Sequence, residues 1–249
     1  MNAQPILTVA DISKSFRGLK AISDVSLRID EGEIMGLIGP NGAGKTTLFN
    51  LITGFLKPDA GDITFFDQPL IGLKAHQICK LGVTRTFQIV KPFAHLSTLE
   101  NVAVGAFNGT EAIAEAEDKS WEVISFVGLE QKALQQASSL TLPDRKRLEL
   151  ARALATAPKL LLLDEVMAGL NPTEQHELID LVFKIRESGT TIFIIEHHMR
   201  VIMGISDRIV VLHHGEVIAD NIPQNVCLDE TVIEAYLGKG VQLAEAKQC

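Results

Sequence analysis

The chain contains 249 residues, of which 46% are hydrophobic and 22% charged, so it can bury a core in one large domain or two small ones. Its formal net charge of −8 argues against a broad nucleic-acid-binding surface, so we expect no nucleic-acid partner. No apolar stretch reaches the roughly 18 residues of a membrane span, and residues 1–9 do not resemble a secretory signal. Cys79, Cys227 and Cys249 are widely spaced, which predicts ordinary thiols rather than a disulfide framework or metal cluster.

The N-terminal half of the chain predicts strands followed by a helical insert. Short strand-like runs occupy residues 6–38 and end in the apolar run Ile34–Ile38. Farther along, the pattern predicts a turn at residues 58–62, a strand at 63–66, a helix over 72–82 and an extended segment at 83–87. Residues 97–137 are rich in Ala, Glu, Leu and Gln, which indicates helices inserted into an α/β domain.

The C-terminal half alternates helices with apolar strands. The expected elements are a helix at 144–155, a strand at 160–163, a helix at 172–188, a strand at 190–195, and a hairpin at 208–220 that turns at His214-Gly215. Strands that alternate with helices favour a largely parallel sheet covered by helices on both faces. The predicted fold class is therefore α/β.

One segment matches the phosphate-binding pattern G-x-x-x-x-G-K-[ST] at every fixed position. Its residues are Gly39, Pro40, Asn41, Gly42, Ala43, Gly44, Lys45, Thr46 and Thr47. A predicted strand precedes it and a helix, residues 48–52, follows it, and this context disfavours the alternative of an ordinary glycine-rich turn. Backbone N–H groups and the helix N-terminus would bind phosphate oxygens. Lys45 would reach the β- and γ-phosphates of ATP, and the Thr46 hydroxyl would bind Mg²⁺.

Two further strands end in polar residues that suit nucleotide hydrolysis. Asp164 and Glu165 follow an apolar strand, where Asp164 would hold Mg²⁺ through water and Glu165 would act as general base. The alternative for this pair is a helix-capping role. His197 follows the strand at 190–195, where its imidazole could donate a hydrogen bond to the γ-phosphate, although a histidine there is often structural.

Two weaker signals complete the candidate site. Gln88 follows the extended segment just before the helical insert, and its amide could contact Mg²⁺ or the attacking water. Phe16 precedes Arg17-Gly18 on an early strand and could stack on adenine, with a partly buried strand aromatic as the alternative.

Together these residues resemble the ATP-binding-cassette (ABC) ATPases, and the similarity covers essentially the whole chain. Four stretches are similar to the ATPases of branched-chain amino-acid importers, the LivG-like group: residues 85–88, 163–174, 195–199 and 232–238. Urea and lipopolysaccharide transport ATPases share some of these stretches and remain alternatives. Soluble ABC proteins that act on ribosomes or DNA usually carry two cassettes or a long coiled-coil insert, which disfavours that reading.

The resemblance implies a P-loop NTPase with a mostly parallel sheet core. Residues 1–88 and 156–249 would form this core with an antiparallel β part, and residues 89–155 a helical subdomain. The resemblance also implies a head-to-tail dimer in which each ATP lies between the phosphate loop of one subunit and the signature segment of the other. The second ATPase subunit is usually a related chain. Membrane permeases and a periplasmic solute-binding protein complete the importer, with the ATPase peripheral at the cytoplasmic membrane face.

The chain departs from the family pattern at the signature segment, residues 140–144. The usual pattern is L-S-G-G-Q or L-S-Y-G-Q, whereas this chain has Leu140-Thr141-Leu142-Pro143-Asp144. Thr141 keeps a hydroxyl for the opposing γ-phosphate, but Pro143 has no N–H and Asp144 adds a negative charge. We therefore expect an asymmetric pair of ATP sites, with an intact signature supplied by a partner chain.

Overall fold

The structure is a computed structural model that describes residues 5–88 and 91–237. The chain divides into two compact units, one comprising Met1–Ala75 and Thr191–Cys249 and the other His76–Thr190. We call them the first unit and the second unit. The predicted subdomains, 1–88 with 156–249 and 89–155, have other limits and stay a prediction.

The first unit begins with an antiparallel sheet of four strands in the order β2-β1-β4-β5. These strands are β1 (Pro5–Phe16), β2 (Leu19–Asp30), β4 (Ala60–Phe65) and β5 (Gln68–Pro69). In β2, the buried residues Val25, Leu27 and Ile29 alternate with exposed ones, because successive side chains of a strand point to opposite faces. The strand-like runs predicted within residues 6–38 are thus confirmed.

A second set of strands in the first unit is mostly parallel. Strand β3 (Ile34–Ile38) pairs in parallel with β8 (Thr191–Ile195) on one side and β9 (Arg208–His213) on the other. Strand β10 (Glu216–Asn221) runs antiparallel to β9, which confirms the predicted hairpin and its turn at residues 214–215. Every residue of β3 and β8 is buried, as expected of strands that are covered on both faces.

Helices of the first unit follow these strands. They are α1 (Lys45–Ile52), α7 (Met199–Ile205), α8 (Pro223–Val226) and α9 (Glu230–Leu237). The parallel register pairs Leu37 with Ile195 and Ile38 with Val211. The segments that follow β3, β8 and β9 therefore leave the sheet at the same edge, which is the usual ligand-binding edge of such sheets.

The second unit contains two parallel strands and most of the helices. Strand β6 (Val83–Arg85) pairs with β7 (Leu160–Asp164) in parallel. The helices are α2 (Ala75–Leu81, which begins at the limit between the units), α3 (Thr98–Ala106), α4 (Ile113–Phe126), α5 (Leu142–Leu154) and α6 (Pro172–Glu187), with short 3₁₀ turns at Glu130–Lys132 and Ala137–Ser139. Helices α3 and α4 confirm the helical insert.

Several predicted limits of helices and strands were wrong by a few residues. The helix predicted over 72–82 begins only at Ala75, and β4 begins at Ala60, inside the predicted turn. Strand β4 ends at Phe65 because Phe66 has a left-handed backbone, with φ of 44°. Among the described residues, no helix combines the length and apolarity needed to cross a membrane.

Candidate functional site

The phosphate loop joins buried strand β3 to helix α1, the arrangement that its sequence motif requires. Gly42 and Gly44 have φ angles of 80° and 109°, values that favour glycine. A Cβ on Gly44 would lie 2.5 Å from the carbonyl oxygen of Ala21, so a side chain also lacks space there. Gly44 is the N-cap of α1, and the first turn of this described helix contains no acidic residue. The loop therefore presents N–H groups and a positive helix end whose own first turn adds no carboxylate.

Lys45 lies almost fully buried against the inside of this loop. Its Nζ donates hydrogen bonds to the carbonyl oxygens of Gly39 and Pro40, at 2.6 and 3.1 Å. The Thr46 side chain is exposed, and Thr47 is half-buried. A lysine ammonium beside several backbone N–H groups forms a donor set that suits the oxygens of a phosphate chain.

Two other predicted residues of the first unit lie at positions open to a ligand. His197 follows β8 and is exposed at the sheet edge from which the phosphate loop also leaves. Phe16 ends β1 and is 42% exposed, with Lys14 Nζ 5.8 Å from the ring centroid. Their roles toward the γ-phosphate and adenine stay predictions.

The predicted carboxylate pair ends strand β7 in the second unit. Asp164 is buried, and its Oδ2 accepts a hydrogen bond from Arg85 Nη2 at 2.5 Å. Both side chains of this ion pair are almost completely buried, with 5% and 3% exposed. Removing either partner of such a pair would leave an uncompensated buried charge, so the pair fixes both side chains in place.

Glu165 has a left-handed backbone conformation, with φ of 52°. Such a conformation is strained for a residue with a long side chain, and strain of this kind concentrates at functional positions. Gln88 Nε2 donates to Glu165 Oε2 at 2.6 Å, so the structure brings these two predicted residues into direct contact. Lys146 Nζ additionally donates to the Glu165 backbone carbonyl at 3.3 Å. The predicted general base is thus positioned by two neighbours, one of which the sequence had singled out.

The signature segment forms a closed hydrogen-bond cluster within the second unit. Thr141 is the N-cap of α5, and its Oγ1 accepts from the Asp144 backbone N–H and donates to Asp144 Oδ2 at 2.5 Å. Lys132 Nζ pairs with the same carboxylate at 2.6 Å. Burial raises the pKa of Asp144, but the hydrogen bonds from Lys132 and Thr141 outweigh it and hold the pKa below its usual value. The Thr141 hydroxyl is therefore already engaged by its own helix.

With this geometry in view, the matches to known proteins decide the family. A family model described as "ABC transporter" matches residues 22–168. The chain belongs to the ABC transporter family. The high-affinity branched-chain amino acid transport ATP-binding protein LivG of Salmonella typhimurium is 44% identical, over 95% of this chain and 99% of the relative.

Solved structures of other ABC cassettes have the same fold as this ABC protein. The ADP conformation of an ATP-binding cassette of an ABC transporter matches with a TM-score of 0.87 and 31% identity, over 95% of this chain and all of that chain. A dimeric cassette in a post-hydrolysis state, bound to ADP and phosphate, matches with a TM-score of 0.78 and 26% identity, over 87% and 98% of the two chains. These matches confirm the predicted fold class, a P-loop α/β core with an antiparallel β part and helices.

Two charged residues of the second unit escaped the sequence analysis. Arg85, the ion-pair partner of Asp164, belongs to the stretch 85–88 that resembles the LivG-like group, but the sequence assigns it no role of its own. Glu149 is buried on α5, and its Oε1 accepts the Phe87 backbone N–H at 2.6 Å, next to Gln88. Burial raises the pKa of Glu149, and the hydrogen bond from Phe87 opposes that shift only in part. Glu149 stands between Leu148 and Leu150, and a glutamate between two leucines of a predicted helix was the signal that could have identified it.

The proposed metal ligands are not a preassembled cluster of acids and histidines. In the described ranges, no group of three or more His, Cys, Asp or Glu side chains could hold a metal ion. The predicted Mg²⁺ ligands Thr46, Gln88 and Asp164 include one carboxylate, which fits an ion held largely by substrate phosphates and water. Cys79 and Cys227 form no disulfide, and Cys249 and Gly238 lie outside the described residues.

Proposed function

We propose that this chain is the ATP-binding and ATP-hydrolysing subunit of a membrane importer for branched-chain amino acids. The observation that carries the proposal is the phosphate loop, with Lys45 buried against it, in a chain that also has the strained Glu165 after Asp164. The substrate class rests on the 44% identity to LivG over nearly the full length of both chains.

Each candidate residue has a role toward ATP in this proposal. Lys45 and the loop N–H groups bind the phosphates, and Phe16 stacks on adenine. Glu165 accepts the proton of the attacking water, with Gln88 orienting its carboxylate, and His197 donates to the γ-phosphate. Thr46, Asp164 and Gln88 would hold Mg²⁺, which would neutralise negative charge on the β- and γ-phosphates.

The partners follow from the relatives, of which LivG is named an ATP-binding protein of branched-chain amino acid transport. This chain would act through separate permease subunits, as a peripheral protein at the cytoplasmic face of the membrane. A periplasmic solute-binding protein would deliver the substrate. A second ABC ATPase subunit would complete the dimer, in which each ATP contacts both subunits.

We infer further that this second subunit is a different chain with an intact signature segment. Asp144 is the third residue of α5, so the N-terminus of this helix already carries its own carboxylate. The Thr141 hydroxyl donates to that carboxylate, and Pro143 offers no N–H. The site that depends on this segment would bind phosphate weakly, whereas the site that uses Lys45 and Glu165 would carry most turnover.

Reconstituted transport tests the proposed function. The chain would be purified with its permeases and binding protein, placed in lipid vesicles, and assayed for ATP hydrolysis with leucine, isoleucine, valine or urea. We expect the branched-chain amino acids to stimulate hydrolysis, and Lys45→Ala to abolish it. Stimulation by urea alone would favour the alternative importer, and unaltered hydrolysis in Lys45→Ala would refute the assigned ATP site.

A further inference from the structure

The turn between β9 and β10 is hydrogen-bonded to the phosphate loop. The backbone N–H of Gly215 donates to the carbonyl oxygen of Ala43, inside the phosphate-binding motif, at 3.0 Å. The carbonyl oxygen of Gly215 accepts the N–H of Ser23 on β2 at 2.8 Å. Gly215 thus connects the loop to the antiparallel part of the same unit, and Ala43 is 3% exposed at this contact.

The fit of this turn against the loop leaves no space for side chains. A Cβ on Gly39 would lie 2.1 Å from the carbonyl oxygen of Leu212, and one on Gly215 would lie 2.8 Å from that of Ala21. Both glycines also have positive φ angles, 152° and 83°. The backbone of Leu212 therefore packs directly against the start of the loop, and the backbone of Gly215 packs against β2.

The chain returns to the same loop at its C-terminal helix. Tyr236 on α9 lies near Gly39, whose backbone N–H acts on the pKa of the phenol. Although 40% of the side chain is exposed, burial of the phenol raises its pKa to about 12, and the Gly39 N–H opposes this only in part. The hydroxyl is therefore protonated at neutral pH. Gly39, the first residue of the motif, packs against the backbone of Leu212, and Tyr236 lies near it.

We propose that residues 213–237, which we call the C-terminal clasp, position the phosphate loop for ATP through Gly215 and Tyr236. The two contacts fix peptide groups at Ala43 and Gly39, so that the inward-facing N–H groups between them are ordered before ATP binds. A loop that is ordered in advance loses less conformational freedom on binding, which raises affinity. The inference rests on the proposed ATP-binding function, and both residues act through the loop rather than by touching ATP.

Two variants of the full-length chain disturb the two contacts separately. Tyr236→Phe deletes only the hydroxyl, and losing its polar interaction with the Gly39 N–H should raise the Kd for ATP by about 3- to 10-fold. Gly215→Ala forces a Cβ against Ala21 and should raise this Kd by at least as much. Titration with a fluorescent ATP analogue gives Kd, and steady-state hydrolysis gives KM and kcat. We expect KM to rise while kcat changes less than two-fold.

Each variant has a matched control away from the loop. Ser120→Ala removes a buried hydroxyl that donates to the Ala116 carbonyl oxygen at 2.6 Å in α4. Gly72→Ala introduces a Cβ at a φ of 90°, where no described atom lies within 4 Å. We expect both controls to bind ATP as the unchanged protein does. Thermal unfolding without nucleotide, measured for all four variants, separates loss of folding from loss of affinity.

The outcomes separate this inference from the proposed function. If the unchanged protein binds ATP but Tyr236→Phe and Gly215→Ala bind it equally well, the C-terminal clasp has no positioning role. The same holds if every rise in Kd is accompanied by a proportionate fall in the unfolding temperature without nucleotide, because loss of folding would then explain the loss of affinity. If the unchanged protein and Lys45→Ala both fail to bind ATP, the proposed function fails and this inference with it.

Discussion

The phosphate loop and the signature segment each lead into the N-terminus of a helix, but the two helix ends differ in charge. Helix α1 begins with Gly44 as its N-cap, and its first turn contains no acidic residue. Helix α5 begins with Thr141 as its N-cap, and Asp144 occupies its third position. A helix N-terminus attracts anions because of its unpaired N–H groups and its dipole. One helix end is therefore open to phosphate, whereas the other already holds a carboxylate of its own.

The difference also concerns how the polar groups are satisfied. In the phosphate loop, Lys45 donates to backbone carbonyls of the loop, and these bonds can be exchanged for bonds to phosphate oxygens. In the signature segment, the Thr141 hydroxyl and Lys132 both donate to Asp144, which is part of the protein. Two segments that both begin a helix can therefore offer phosphate different amounts of positive charge, because the signature segment neutralises its own helix end.

The largest expected effect concerns the ATP site formed by the phosphate loop and Glu165, which we infer to carry most of the hydrolysis. Glu165→Gln should lower ATP hydrolysis by about 10²- to 10⁴-fold, because the amide cannot accept a proton from water. ATP binding should persist, since the amide oxygen can still accept the hydrogen bond from Gln88. Steady-state hydrolysis and a nucleotide-binding titration would measure the two effects.

A surface glutamate provides the control for this substitution. Glu117 is exposed on α4, and Glu117→Gln should leave hydrolysis unchanged. Near-normal turnover in Glu165→Gln would assign the general base to another residue. A joint loss of ATP binding and hydrolysis would instead indicate that Glu165 has a structural role.

An intermediate effect is expected from repairing the signature segment. The double variant Pro143→Gly with Asp144→Gln restores an N–H and removes the charge that competes with phosphate. A charge-assisted hydrogen bond is typically worth about 1.5–3 kcal/mol, or roughly 10- to 100-fold in the equilibrium of the closed ATP-bound dimer. We expect the turnover of the assembled transporter to rise, through the site formed with the phosphate loop of the partner subunit.

Disabling each general base in turn shows which site gains. In the unmodified transporter, Glu165→Gln should remove most turnover, and the matching change in the partner subunit should remove little. In the repaired transporter the two losses should become more alike. Equal losses before the repair, or full activity from this chain without a second ATPase, would contradict the asymmetric arrangement.

How much of the site the sequence could predict depends on the distance between interacting residues along the chain. The phosphate loop was predictable because its donors are contiguous and because Gly44 and Lys45 fulfil local requirements. The pairing of Arg85 with Asp164 joins residues 79 positions apart, and that of Phe87 with Glu149 joins residues 62 positions apart. The periodicity of apolar residues along the sequence cannot predict such contacts, because strand pairing and helix packing create them.

The start of α5 is an intermediate case. We predicted this helix from Asp144, but it begins at Leu142 because Thr141 caps it. The Thr-x-x-Asp spacing is a helix-capping signal that the sequence contains. The same segment also resembles a phosphate-binding signature, so the sequence supports two interpretations. The structure assigns both residues to capping, whereas any contact with phosphate stays a prediction.

The smallest expected effect concerns the stability of the signature segment itself. Lys132→Met removes the ion pair with Asp144 but keeps most of the apolar stem, and because 41% of the lysine side chain is exposed, the loss should be about 0.2–1 kcal/mol of unfolding free energy. Lys119→Met is the matched control, since Lys119 is similarly exposed and pairs with Glu122 on α4. Chemical denaturation of the three proteins would measure both losses.

The pH dependence of this loss distinguishes Asp144 from a general effect of the lysine. The pKa of Asp144 is held below its usual value of 3.8, so its contribution to stability is present above that pH and disappears as the pH falls through the lower, folded-state value. The difference between Lys132→Met and the unchanged protein should therefore be constant from about pH 7 to pH 5 and shrink below 3.8. A difference that persisted after Asp144 is protonated would mean that Lys132 stabilises α5 by packing, and that the signature segment does not neutralise itself as we infer.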